Sequence, residues 1–253
     1  MKLIRDTWLL FARSMKATLR NPAFVILGLF QPVCYMLLFA PLLNNLAVAP
    51  GFPGGGALKV FTPGLLILLA MYGAAFVGFD LIGELRYGVV ERLRVTPVSR
   101  LALLLGRALR DVVNLLVQSL LLLIVAWLLG LRASVAGVAL MFVMIVLIGL
   151  LMSSFSYAIA LAFKDENALS AMLNFIMQPL LLLSGILLPL SLAPLIIRDI
   201  ARANPFSYAV DSSRSLFNGS LGDGAVLLGF AVMAILALLA LYWAARSFRS
   251  ALA

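Results

Sequence analysis

VAGVALMFVMIVLIGLLMSSFSYAIALAF, residues Val135–Phe163, carries no Asp, Glu, Lys or Arg. A helix needs about 20 such apolar residues to cross a hydrocarbon core of about 30 Å. Five more apolar runs accompany it along the 253-residue chain: Ala23–Leu43, Val60–Ile82, Val112–Leu131, Leu169–Leu188 and Ala225–Trp243. An outer-membrane barrel would instead alternate in segments of about ten residues. With 64% of residues hydrophobic and 11% charged, a soluble core has no room for so much apolar surface. The sequence predicts an all-α polytopic membrane protein with six transmembrane helices.

Residue chemistry narrows the function classes. The chain holds one cysteine, Cys34, and no histidine. That removes a disulfide framework, a cysteine-based metal cluster and the commonest general base and metal ligand. The loop Ala49-Pro50-Gly51-Phe52-Pro53-Gly54-Gly55-Gly56 is glycine-rich, yet no Gly-Lys-Ser/Thr follows it, so it is not a phosphate-binding loop. No nucleotide-binding domain, metal or catalytic residue is expected in this chain. Ala47-Val48-Ala49 matches a signal-cleavage pattern, but the preceding run exceeds a signal-peptide core and Pro50 follows the cut. The first span is therefore expected to remain. Asp80 and Asp111 lie near Arg86, Arg107 and Arg110, which points to structural ion pairs rather than to a membrane enzyme or channel.

Lys and Arg sort by side. Lys59, Arg132, Arg198, Arg202 and Arg214 fall on one side of the six spans and the other fourteen of the 19 on the opposite one. The positive-inside bias places the richer side in the cytoplasm, and an even number of spans puts both termini there. The net charge of +9 then reflects basic cytoplasmic loops, and no nucleic acid is expected. The expectation is a multi-pass protein of the inner (cytoplasmic) membrane of a prokaryote.

Before the first span, Ile4, Trp8, Phe11 and Met15 recur on one helical face beside Arg13, Lys16 and Arg20. A basic amphipathic helix carrying Trp and Phe lies in the headgroup plane. Residues 1–21 are thus read as an interfacial helix on membrane lipid, with Trp8, Phe11, Arg13 and Lys16 as its anchor. Within the spans, Asn114, Gln118, Tyr157, Asn174 and Gln178 are polar groups at membrane depth. They serve either interhelical hydrogen bonds or a substrate path. Residues 189–219 are too polar to span. Leu192, Leu195, Ile196 and Ile200 form a stripe there, Asn204-Pro205 breaks it, and a second amphipathic piece runs to Phe217. This predicts an outer or re-entrant helical hairpin between the fifth and sixth spans.

The remaining charge is concentrated between the second and third spans. In Gly83-Glu84-Leu85-Arg86-Tyr87-Gly88-Val89-Val90-Glu91-Arg92-Leu93-Arg94-Val95-Thr96-Pro97-Val98-Ser99-Arg100, Leu85, Val89 and Leu93 share a helical stripe. Thr96 is placed to cap the next helix, with Pro97 at its first position. The expected shape is a short helix over 84–100 in the cytoplasmic interface, its polar face free for a partner.

Gly88 to Arg100, with the Thr96-Pro97-Val98-Ser99 run, resembles the cytoplasmic signature of ABC-2 type transporter permeases, closest to the daunorubicin and multidrug-resistance exporter branch. Ser184-Gly185-Ile186-Leu187-Leu188-Pro189 and Asn204-Pro205-Phe206-Ser207-Tyr208 are similar to two later landmarks of that family. The resemblance covers residues 1–253 as a single ABC-2 transmembrane domain. It implies a permease subunit that couples through Glu84, Gly88, Glu91, Arg92, Arg94, Thr96, Pro97 and Arg100 to a separate ABC ATPase subunit. That partner would hold ATP and Mg, and a second permease copy, identical or paralogous, would complete the transporter. The implied cargo is a hydrophobic drug or lipid-like molecule moved outward, or alternatively a lipid-linked polysaccharide or other large amphiphile.

Overall fold

The structure, a computed structural model, describes residues 2–20, 23–46, 56–88, 99–187 and 189–251. Its helices are α1 (Lys2–Arg20), α2 (Ala23–Leu46), α3 (Ala57–Ala75), α4 (Gly78–Arg86), α5 (Arg100–Leu128), α6 (Val135–Phe163), α7 (Glu166–Leu182), α8 (Leu195–Ala201), α9 (Pro205–Asn218) and α10 (Gly224–Ala251). A single 3-10 turn, Leu190–Leu192, precedes α8. Among the described residues there is no strand.

Helix limits follow local chemistry. The Ser134 hydroxyl accepts from the Gly137 amide at 3.0 Å to start α6, and Lys164 closes it in a left-handed conformation. Those limits coincide with the apolar run. The third run does not fare so well: α5 begins at Arg100, a dozen residues before Val112, because charged residues interrupt the hydropathy without interrupting the helix. Its cap is Ser99, which accepts from the Ala102 amide at 3.1 Å, and not Thr96. A serine one residue before the helix supplies the oxygen that the first-turn amides need.

Four segments among the described residues are long and apolar enough to cross a bilayer: Ala57–Arg86 (α3 with α4), Leu101–Leu128, Val135–Phe163 and Gly224–Arg249. The other two predicted runs are helical as α2, of 24 residues, and α7, of 17. At 1.5 Å per residue α7 is about 26 Å long. It stops at Leu182 rather than Leu188, because Ser184 turns the chain. The Ser184 hydroxyl donates to the Leu181 carbonyl (2.7 Å) and accepts from the Ile186 amide (3.2 Å), while Gly185 takes φ 76°.

α3 is the axis of the bundle. Val60 to Met71 are buried on every side of it, as expected of a helix that is apolar all round. It is enclosed by α2, α5, α6 and α9, and α6 in turn packs on α4, α5, α7, α9 and α10. The turn Phe76-Val77 separates α3 from α4, and the Gly78 amide freed there donates to the Ser156 hydroxyl of α6 at 2.9 Å.

The predicted outer hairpin divides in two. α8 stays at the surface, with Leu195 and Ile196 exposed and Arg202 paired to Asp199 at 3.1 Å. α9 instead enters the bundle, burying Phe206, Val210, Leu216 and Phe217 against α3, α6 and α10. Its serines read as polar but behave as small apolar residues, since Ser213 and Ser207 spend their hydroxyls on carbonyls of nearby turns. Glycines open the slot it fills. A Cβ on Gly137 would stand 2.3 Å from the Leu216 carbonyl oxygen, and one on Gly229 2.6 Å from that of Tyr208.

Both obstructions are backbone atoms, so Gly229→Ala is expected to cost about 1–3 kcal/mol of stability. Gly83→Ala, with nothing within 4 Å of the added methyl, is expected to be neutral or to stabilise by up to about 1 kcal/mol. Unfolding midpoints in detergent, followed by circular dichroism, check both; equal midpoints would reject the slot.

Candidate functional site

α4 is the last helix before the charged stretch, and ion pairs fasten it to its neighbours. Arg110 of α5 reaches Asp80 of α4 at 3.2 Å and chelates Asp111 through two nitrogens at 2.8 and 2.6 Å. The Tyr157 hydroxyl of α6 donates to the other oxygen of Asp111. Arg107 pairs with Glu84, and Arg86 with Glu166 of α7 at 2.9 Å. Phe248 of α10 meets the Tyr157 ring edge-on at 6.4 Å between centroids. Five helices therefore converge on one polar cluster.

Burial grades the cluster from inside outward. The side chains of Asp111, Arg107 and Arg110 are 2%, 9% and 14% exposed, whereas Asp80, Glu84, Arg86 and Glu166 reach solvent. A charge at such depth is tolerated when paired and hydrogen-bonded on all sides. Asp80 thus finds Arg110, not the expected Arg86. The spacing in sequence could not say so, because Glu166 arrives from α7.

The expected coupling residues separate into three groups. Glu84 belongs to α4 and to the ion cluster. Gly88 ends that helix at φ 67°, its amide donating to the Leu85 carbonyl at 3.2 Å. A left-handed glycine is a common helix stop. The helix expected over 84–100 therefore stops, in its described part, at Arg86. Glu91, Arg92, Arg94, Thr96 and Pro97 lie outside the described residues, and Arg100 opens α5.

The polar groups expected along a path do not converge. Gln118 is buried on α5 against Gly28 of α2 and Gly73 of α3. Asn114 is half-buried, one turn earlier on the same helix. Tyr157 is committed to Asp111. Asn174 and Gln178 point out of the bundle on α7, beside exposed Phe175 and Leu182, with the Asn174 amide donating to the Ser170 carbonyl at 2.9 Å. Among the described residues no group of acidic or cysteine side chains could hold a metal ion.

The sequence reading missed a second polar knot, at the far end of α3. Arg214 of α9 is buried and donates to the carbonyls of Val60 (3.2 Å) and Gly185 (2.7 Å). Burial pushes its guanidinium down to about 10, against the opposing pull of Asp211 one turn earlier. Asn204 donates to the Leu180 carbonyl at 2.7 Å and caps α9 by accepting from the Phe206 amide. The knot involves both landmarks: Gly185 accepts from Arg214, and Asn204 donates to Leu180 at the end of α7. Phe206, Val210 and Arg214 recur every fourth residue on the buried face of α9, a spacing that could have exposed Arg214.

Two substitutions separate buried from exposed pairing. Arg110→Leu leaves Asp111 buried without its cation, and is expected to cost about 3–5 kcal/mol. Arg86→Ala removes an exposed pair, and is expected to cost under about 1 kcal/mol. Denaturant titration of the purified chain in detergent checks the contrast, and comparable losses would contradict the burial order.

Comparison with known proteins completes the site. Residues 5–218 match the ABC-2 type transporter family model. A transport permease named ycf38 from Cyanophora paradoxa is 27% identical over 221 residues, covering 86% of this chain and 76% of that protein. Its Porphyra purpurea namesake is 24% identical, with 87% and 76% covered. A Mycobacterium tuberculosis protein named as a doxorubicin resistance ABC transporter permease, DrrC, is 26% identical over 218 residues, covering 85% of this chain and 78% of that one. Members are membrane transport subunits rather than enzymes, and work with an ABC ATPase. The match spans the ion cluster, the charged stretch and the Arg214 knot alike: the chain belongs to the ABC-2 type transporter family.

Proposed function

We propose that the chain is the permease subunit of an exporter that moves a hydrophobic drug or lipid-like molecule outward across the inner membrane. ATP and Mg would be bound and turned over in the separate ATPase. The observation that carries this reading is the ion-paired α4. Residues 89–98 follow it directly, so a force applied there enters a helix fastened to α5, α6 and α7. A partner that closes on ATP must favour one membrane state over the other to move anything. Shifting such an equilibrium from 1:99 to 99:1 takes about 5.5 kcal/mol, which a linkage that yields would dissipate. The name of the M. tuberculosis relative supports a drug as cargo.

The topology that accompanies this reading has six spans, with α2 and α7 added to the four long apolar segments, and both termini in the cytoplasm. α7 is the face offered to a second permease copy. Asn174 and Gln178 are polar, exposed and flanked by Phe175, and polar groups at membrane depth face protein or water. The path then runs between copies rather than through one.

The test is on the segment that would touch the ATPase. Glu91→Lys is expected to abolish ATP-dependent efflux in cells by tenfold or more (about 1.4 kcal/mol per tenfold) and to weaken co-purification of the ATPase, with the melting temperature unchanged. Retention of both complex and efflux would refute the coupling role.

A further inference from the structure

α1 presents three faces, not two. Asp6, Leu10 and Ser14 are turned toward α5, where Gly106 permits the crossing. A Cβ on Gly106 would stand 2.8 Å from the Leu10 Cβ and 3.1 Å from the Thr7 carbonyl oxygen. The Ile4, Trp8, Phe11, Met15 and Leu19 face is not the one so used: Ile4, Trp8 and Leu19 remain 76%, 61% and 73% exposed. Arg5, Arg13, Lys16 and Arg20 form a third face, all exposed. The helix has one acid, Asp6, and it is buried on the α5 side, so no anion lies among the four cations.

We propose that the basic face of α1 is a binding surface for anionic lipid headgroups. Packing on α5 fixes the helix, and the apolar face beside the basic one fixes its depth, since it must be covered by acyl chain. The cations are then held at headgroup level, where an acidic leaflet attracts each of them. Charge complementarity favours lipid over a protein partner. A cationic face flanked by an exposed, Trp-bearing apolar face suits an acidic bilayer, which takes up both at once. The neighbour of Gly106 is Arg107, whose pair with Glu84 belongs to the ion cluster, so α1 crosses α5 one residue from that cluster.

Trp8 reports the contact once Trp127→Phe and Trp243→Phe silence the other two tryptophans. The full chain is reconstituted in nanodiscs with brominated phosphatidylglycerol or brominated phosphatidylcholine at equal mole fraction. At an ionic strength of about 0.01 M, where screening reaches about 30 Å, the anionic lipid is expected to quench Trp8 severalfold more. At about 1 M, where it falls to about 3 Å, the preference is expected to vanish. Arg13→Gln with Lys16→Gln and Arg20→Gln keeps helix propensity, and is expected to leave both lipids quenching equally at low salt. Equal quenching of the unsubstituted face at low salt overturns the proposal, as does a preference that survives the triple substitution. Absence of quenching by either lipid overturns it too, because protein then covers α1. No ATPase is present in this measurement, so its failure is distinct from failure of the coupling reading.

Discussion

Asp111, 2% exposed beside Arg110 within a membrane helix, is tolerable only as part of a closed set of pairs. That requirement orders the end of the bundle around it. Asp111 needs Arg110 and the Tyr157 hydroxyl, which sets α5 against α6. Arg110 has a further nitrogen for Asp80, and Arg107 takes Glu84, which sets α4 against α5. Desolvating such ions costs about as much as their attraction returns. The pairs therefore act mainly on geometry, admitting one register of α4 on α5 where apolar packing alone would admit several.

The opposite end obeys the same rule with a different chemistry. Arg214 is buried on main-chain carbonyls, at Val60 and Gly185, rather than on carboxylates. The Gly185 carbonyl lies in the turn after α7, outside a helical ladder, and Val60 lies in the first turn of α3. One side chain from α9 thus ties the start of the central helix to the end of α7. Asn204 repeats the device on Leu180, three residues before that turn. Gly185 and Asn204, which read in sequence as loop punctuation, each take part in a hydrogen bond that ties α7 to α9.

What was legible in the sequence was what hydropathy and local caps decide. α6 ends where its apolar run ends, since Ser134 and Lys164 stand at the same borders. The class, the charge asymmetry and the amphipathic α1 followed from residue types alone. What escaped depended on distant partners. α5 looked twelve residues too short, because Arg107, Arg110 and Asp111 count as polar until Glu84, Asp80 and Tyr157 are brought to them. α9 looked like a surface helix, because its serines count as polar until their hydroxyls are spent on carbonyls of their own turns. The stop at Gly88 escaped for a different reason: the apolar spacing of Leu85, Val89 and Leu93 continues across it, and spacing carries no information about the sign of φ.

These two joints attach near opposite ends of one element, Ala57–Arg86, at Val60 and Asp80, about 30 Å apart along it at 1.5 Å per residue. That element is not a uniform rod. It is interrupted at Phe76-Val77, where the Gly78 amide leaves its own helix for Ser156 and the rings of Phe76 and Phe79 stack 5.9 Å apart across the turn. On one side, α3 is enclosed all round and fastened to α9 by Arg214. On the other, α4 carries charged pairs to α5 and α7. Under the proposed coupling, a displacement entering from residues 89–98 would meet α4 first, and its ion pairs would carry α5 and α7 with it. The enclosed α3 resists following. The interrupted turn, where one side-chain hydrogen bond replaces the regular ladder, lies between the two polar joints and belongs to neither.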